Sequence, residues 1–270
     1  MAQELSYMSQ YDRITVGARV GAASHMQATP LPMGVEAMLD VQYAHYWRHD
    51  GWNQQLGLVV GLSAGYSDSR YGRSIHESAS YSLTENGLTF PIDYTVDASL
   101  RERNQQAQLE LPVLFSMVMQ CGWFLNVGPR LQLPLAGRYS QSVSDDVVTA
   151  RYSRWSDQPI VNSATTGCFS DAERHSEGKW QTAKFNLLVG AETGYEYMFR
   201  DKNRIVIGAY GQVGVLPMTC SVDADSRLVQ IVPPSPEQPA AVSTLGLSNT
   251  YSERVNYFSV GVRVAYSFVW

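Results

Sequence analysis

A chain of 270 residues with a net charge of −5 and no basic cluster is a poor partner for the phosphate backbone of nucleic acid. No run approaches the roughly eighteen consecutive apolar residues that a membrane helix needs, and the mean hydropathy is slightly negative at −0.20. Neither exclusion touches β-strands, because a strand dividing two environments needs only every second residue to be apolar.

Read in chain order, that alternation occurs eight times. Residues 13–22 set Ile14, Val16, Ala18 and Val20 against Thr15, Gly17, Arg19 and Gly21. Residues 35–47 set Val35, Ala37, Leu39, Val41 and Tyr43 against Glu36, Asp40 and Gln42. Strands over 55–66, 106–119 and 123–136 follow, with Glu110 and Arg130 on their polar sides. Residues 183–199 carry Phe185, Leu187, Val189, Tyr195, Tyr197 and Phe199 opposite Gly190, Glu192, Gly194 and Glu196. After the polar turn Arg200-Asp201-Lys202-Asn203 comes 204–216, completing the clearest hairpin of the chain. The series closes with 254–270, where Val260, Val262, Val264, Tyr266, Phe268 and Trp270 oppose Gly261, Arg263 and Ser267.

The connections sort into two classes. Turns near 48–54, 120–122 and 200–203 are short; the links over 23–33, 67–105, 138–181 and 217–252 are longer and rich in Ser, Asp, Tyr and Pro. Short turns on one side and long loops on the other are the habit of transmembrane barrels. Glycines crowd the polar stripe (Gly57, Gly61, Gly65, Gly128, Gly190, Gly194, Gly261), as a narrow interior requires. The predicted fold is therefore all-β: a single domain over 1–270, an eight-stranded antiparallel up-and-down transmembrane barrel with long extracellular loops.

On these residues, above all the 184–215 hairpin and the 255–270 strand, the chain resembles small eight-stranded outer-membrane barrels of the OmpA/OmpX type. It is loosely similar to the Bacteroidota style of the PorT-like group. The resemblance implies the outer membrane of a Gram-negative bacterium, with a signal peptide removed ahead of Met1-Ala2-Gln3-Glu4. It specifies architecture and leaves activity open.

Several groups are candidates for function. Arg19, Asp40, Arg130, Glu192 and Arg263 fall at similar depth, with Glu36 and Glu110 above and Glu196 below. An eight-stranded barrel has room only for its own side chains, so these charges should pair in the lumen. Tyr195, Tyr197, Phe199, Tyr266, Phe268 and Trp270 occupy positions of an interfacial aromatic girdle. Cys168 and Cys220 lie in two long loops where an oxidising compartment would allow a bridge, or they are incidental thiols, and Cys121 is left over in a short turn. The five histidines have no metal spacing. No metal site, catalytic residue or cofactor is expected, although Ser24-His25 lies where lipid A deacylases of similar size hold a Ser–His pair.

The resulting expectation is a non-enzymatic barrel acting through its loops, in surface recognition or as an accessory subunit of a larger envelope complex. Its expected partners are outer-membrane lipid and lipopolysaccharide, together with other outer-membrane proteins or lipoproteins, and no nucleic acid. The alternatives are a lipid A-modifying enzyme using Ser24 and His25, and a narrow channel or hydrophobic conduit.

Overall fold

The structure is a computed structural model and describes residues 10–25, 33–48, 54–85, 88–152, 169–179, 184–216, 229–232, 241–244 and 256–270. All regular structure among them is strand. Eight strands close a ring: β1 (Gln10–Ser24), β2 (Gly34–Arg48), β3 (Gln54–Glu85), β4 (Leu88–Met119), β5 (Trp123–Tyr152), β7 (Asn186–Met198), β8 (Arg204–Gly214) and β11 (Phe258–Val269). Each pairs antiparallel with its neighbours, and the ring shuts where β1 meets β11, from Arg13↔Val269 to Ser24↔Phe258. This is the expected eight-stranded antiparallel barrel.

Closure follows from the alternation. Around the middle of the ring each strand turns mostly small or polar residues inward and apolar residues outward, and curling the sheet shut leaves no unpaired edge. At Gly21 and Gly261, cross-strand partners in β1–β11, the backbones come so close that a Cβ on Gly261 would lie 2.5 Å from the Gly21 Cα. The short turns are tight. Gly122 takes φ +92 and its amide donates to Met119 O at 2.9 Å. Lys202 takes φ +68 in the turn between β7 and β8.

Two segments read as loops from the sequence are strands instead. β3 and β4 stay in register from Gln54↔Met119 up to Glu85↔Leu88, and β5 continues beside β4 as far as Ile92↔Tyr152. A further strand, β6 (Phe169–Lys179), pairs with the upper part of β5, from Arg138↔Lys179 to Val148↔Phe169. The stretches 67–85, 88–105 and 138–152 therefore extend the barrel wall as a sheet. A separate ribbon joins β9 (Val229–Val232) to β10 (Ala241–Thr244).

The physical reason is an inversion of polarity. Low on β4 the inward residues are Gln108, Glu110 and Ser116, and the outward ones Leu109, Leu111, Val113 and Phe115. Higher up, the inward positions become Leu100, Ala98, Val96, Tyr94 and Ile92, all buried, while Arg103, Arg101, Asp97 and Thr95 face out. The period of two persists while its sign flips. β5 follows through a bulge at Leu135, since Gln108 faces Pro134 but Ala107 faces Ala136.

Candidate functional site

The outward face of the ring is an exposed apolar belt. Leu39, Val16, Val262, Val264, Ile207, Val189, Val113, Phe115, Leu58 and Leu62 all lie open, with Leu39 71% exposed. Soluble monomers rarely expose so wide a continuous apolar surface. Along β8 and the residue after it the belt runs from Ile205 to Val215; ten steps of a strand tilted by about 40° rise about 25 Å, the height of a transmembrane barrel's apolar band. At its short-turn rim the aromatics meet. Tyr197 and Phe199 are edge-to-face at 5.4 Å, Tyr266 and Phe268 at 4.9 Å, and Phe199 lies 6.5 Å from Tyr266. Tyr195 and Trp270 are exposed on the same face.

Inside, three levels stack. The lowest is an aromatic and aliphatic plug. Tyr11 and Tyr46 stack at 4.9 Å, with Val59, Leu114, Val118, Phe124 and Val206 around them. Arg13 and Arg204 both reach Glu196, at 2.5 and 2.7 Å, and lie over the Tyr46 and Tyr11 rings respectively.

The middle level holds the charges at matching depth. Asp40 is 2.5 Å from Arg263, Arg263 is 3.5 Å from Glu192, and Glu192 accepts a short hydrogen bond from Arg130. Arg130 is 3.7 Å from Glu110, which pairs with Arg19 at 2.6 Å. These six residues form one unbroken chain of ion pairs across the lumen. Glu36 takes another role, accepting hydrogen bonds from Tyr210 at 3.0 Å and from Tyr257. All eight lumen charges singled out from the sequence are buried.

The top level is neutral and polar. Gln108 Oε1 accepts from Gln106 at 2.9 Å and Gln132 at 2.7 Å, while its amide donates to Tyr257 at 3.3 Å. His25, fully buried, has Nε2 2.9 Å from Ser67 Oγ and Nδ1 3.1 Å from Ser69 Oγ. Burial pushes its pKa down to about 3, with Asp68 opposing. For Asp68, burial acts upward, but the Val35 amide and Arg103 outweigh it and hold the carboxylate below its usual range.

The Ser24-His25 pair is not joined by a hydrogen bond: Ser24 Oγ is buried with no hydrogen-bond partner among the described residues, and both His25 ring nitrogens are engaged by serines of β3. A base for a Ser24 nucleophile is not assembled. Cys121 lies exposed in the β4–β5 turn; Cys168 and Cys220 lie outside the described residues.

Sequence reasoning passed over Arg13, Arg204 and Tyr257, and it left Tyr210 and Gln108 on the polar stripe without a role. A signal was present for each: Arg13 shares parity with Arg19, Gln108 with Glu110, Arg204 and Tyr210 with one another, and Tyr257 with Arg263. Arg13 and Arg204 stood at the assigned strand ends, where a cation reads as surface.

The sequence matches no family model and no curated protein. Among solved structures, the chain is similar to a crystal structure of Ail, the attachment invasion locus protein of Yersinia pestis, in complex with the heparin analogue sucrose octasulfate. Identity is 12%, the match covers 97% of this chain and 100% of that one, and the TM-score is 0.26.

Proposed function

We propose that this protein resides in the outer membrane of a Gram-negative bacterium as a non-enzymatic barrel. Its extramembrane wall and loops then provide surface recognition or a docking face for a larger envelope complex. One observation carries the reading: an exposed apolar belt encloses a lumen of buried, mutually paired charges. In water that arrangement is inside out, and in a bilayer both faces are satisfied.

The working surface we assign to the extension of β3, β4, β5 and β6. From Asp68 to Glu85, β3 runs on for about 60 Å along the strand. Barrel closure needs none of it, and a paired sheet presents side chains more rigidly than a loop. The partner class we propose for it is lipopolysaccharide or another envelope protein, and the Bacteroidota, PorT-like affinity rests on the sequence resemblance.

The test is a hairpin truncation. Gly72 and Arg101 are cross-strand partners, so joining them through an Asn-Gly turn removes the upper hairpin without changing register below. The truncated barrel should still fractionate with the outer membrane and migrate faster on gels when unheated. It should lose co-purifying partners and fail to rescue a deletion strain. Full rescue would place the function in the wall or lumen instead.

A further inference from the structure

The upper end of the apolar belt differs from sector to sector. Met33 and Val35 at the start of β2, Phe185 ahead of β7 and Val215 after β8 keep it apolar to the last, with Lys184 the described cation beside them. On β4 the belt runs from Met117 to Ala107 and is followed, on the same outward face, by Gln105, Arg103 and Arg101. Arg103 faces Arg70 on β3 and Ser140 on β5, while Arg101 faces Gly72 and Ser142. All three arginines are exposed.

Height, charge and surroundings point to one kind of occupant. Four and six residues beyond Ala107, Arg103 and Arg101 stand about 10 and 15 Å above the belt. A headgroup layer is about 5–8 Å thick, so these groups reach past it to whatever the headgroups carry. Arg70 and Arg103 are direct cross-strand partners, an arrangement that like charges disfavour. The carboxylate nearest them, Asp68, is buried and already held by Arg103 at 2.7 Å and the Val35 amide at 2.7 Å. Glu177, on β6 beyond Ser140, lies 3.3 Å from His175. Around Arg101 the neighbouring outward positions of β3, β4 and β5 hold only Arg, Gly and Ser, so the guanidinium groups rise from a shallow, hydroxyl-lined face with no acid in it.

We infer that this sector of the wall binds the anionic inner-core sugars of lipopolysaccharide in the surrounding leaflet. The Arg70 and Arg101 forks take the acidic groups, which relieves the cross-strand repulsion, and Ser99 and Ser142 exchange hydrogen bonds with sugar hydroxyls. This inference rests on the membrane reading above and narrows its partner to the saccharide of the glycolipid.

The experiment is native mass spectrometry of the detergent-solubilised full chain with two probes, lipid A alone and deep-rough lipopolysaccharide, which adds the inner core. Both touch the belt, so their difference reads the saccharide. The wild type should hold the core-bearing probe about tenfold or more tightly than lipid A. R70Q/R101Q should bring the two probes level, and R70K/R101K, of unchanged charge, should keep most of the preference. R200Q/K202N, which removes the same charge from the opposite end, should leave it intact. Equal retention of both probes by the wild type, a preference that survives in R70Q/R101Q, or one lost equally in R200Q/K202N would overturn the site. Displacement of the core-bearing probe by millimolar inorganic phosphate would overturn the saccharide in favour of a free-anion site. If the unheated wild type failed to migrate as a folded barrel, the membrane reading itself would fall, and that outcome is visible before any probe is added.

Discussion

Arg19 and Arg263 are direct cross-strand partners in β1–β11, yet their guanidinium groups leave one another for opposite walls of the lumen. Arg19 crosses to Glu110 on β4 at 2.6 Å, and Arg263 turns to Asp40 on β2 at 2.5 Å and Glu192 on β7 at 3.5 Å. A repulsive pair in the sheet is thereby converted into two struts bracing three other strands. The ion-pair chain ties β1, β2, β4, β5, β7 and β11 together.

Glu192 is the carboxylate shared by Arg130 and Arg263. Glu192→Ala should destabilise the barrel by about 3–5 kcal/mol, because it strands buried cations. Replacing Arg130 and Glu192 together by Met should recover most of that loss. Urea unfolding in lipid vesicles measures both, and equal losses in the single and double variants would contradict the pairing.

The belt and the wall above it should respond differently to the same charge. Val189→Arg or Val262→Arg, at exposed mid-belt positions, should cost about 2–4 kcal/mol in a bilayer. Ser74→Arg, exposed on the upper part of β3, should be close to neutral. Parallel unfolding titrations in the same vesicles read the contrast.

Crowding should be as severe as charge. A Cβ on Gly261 would lie 2.3 Å from Val20 O, and one on Gly190 would lie 3.1 Å from Arg130 Nε. Gly261→Val should abolish the fast-migrating folded band, and Gly190→Arg should do the same by filling the charged layer. Gly211, with its nearest contact at 4.0 Å, should tolerate Ala.

His25 makes the barrel top sensitive to acid in one direction. Its folded pKa, about 3, lies below the 6.5 of an ordinary histidine. Between those values the unfolded chain binds a proton that the folded chain refuses, so stability falls as pH drops from 6.5 towards 3. The loss is at most about 1.4 kcal/mol per pH unit. Ring-proton NMR should show His25 still neutral at pH 4.5, and His25→Gln should flatten the pH dependence.

The eight ring strands were legible because alternation with period two is written in the chain itself. The parity of Glu192 and Arg263 set them on the inward face, and counting from the strand ends gave their depth. Their connectivity was not legible, since a partner such as Glu110 for Arg19 depends on how far the sheet curls. The upper wall was lost for a different reason. The search followed an outward apolar stripe, and from Gln106 upward the apolar residues change sides, so Tyr94, Val96 and Leu100 looked like loop composition. Tyr257 and His25 went unnoticed as lumen residues because each lies at the end of its alternation.

The central claim is that the belt faces lipid while the charged face is sealed inside. A single-cysteine scan of β11 in a Cys-free background, labelled with an environment-sensitive fluorophore in vesicles containing brominated lipid, tests it most directly. Probes at Val260, Val262, Val264 and Phe268 should be quenched by the lipid. Those at Gly261, Arg263 and Ala265 should escape quenching or block folding. Quenching of the outward positions by aqueous iodide instead, with no period of two, would contradict it.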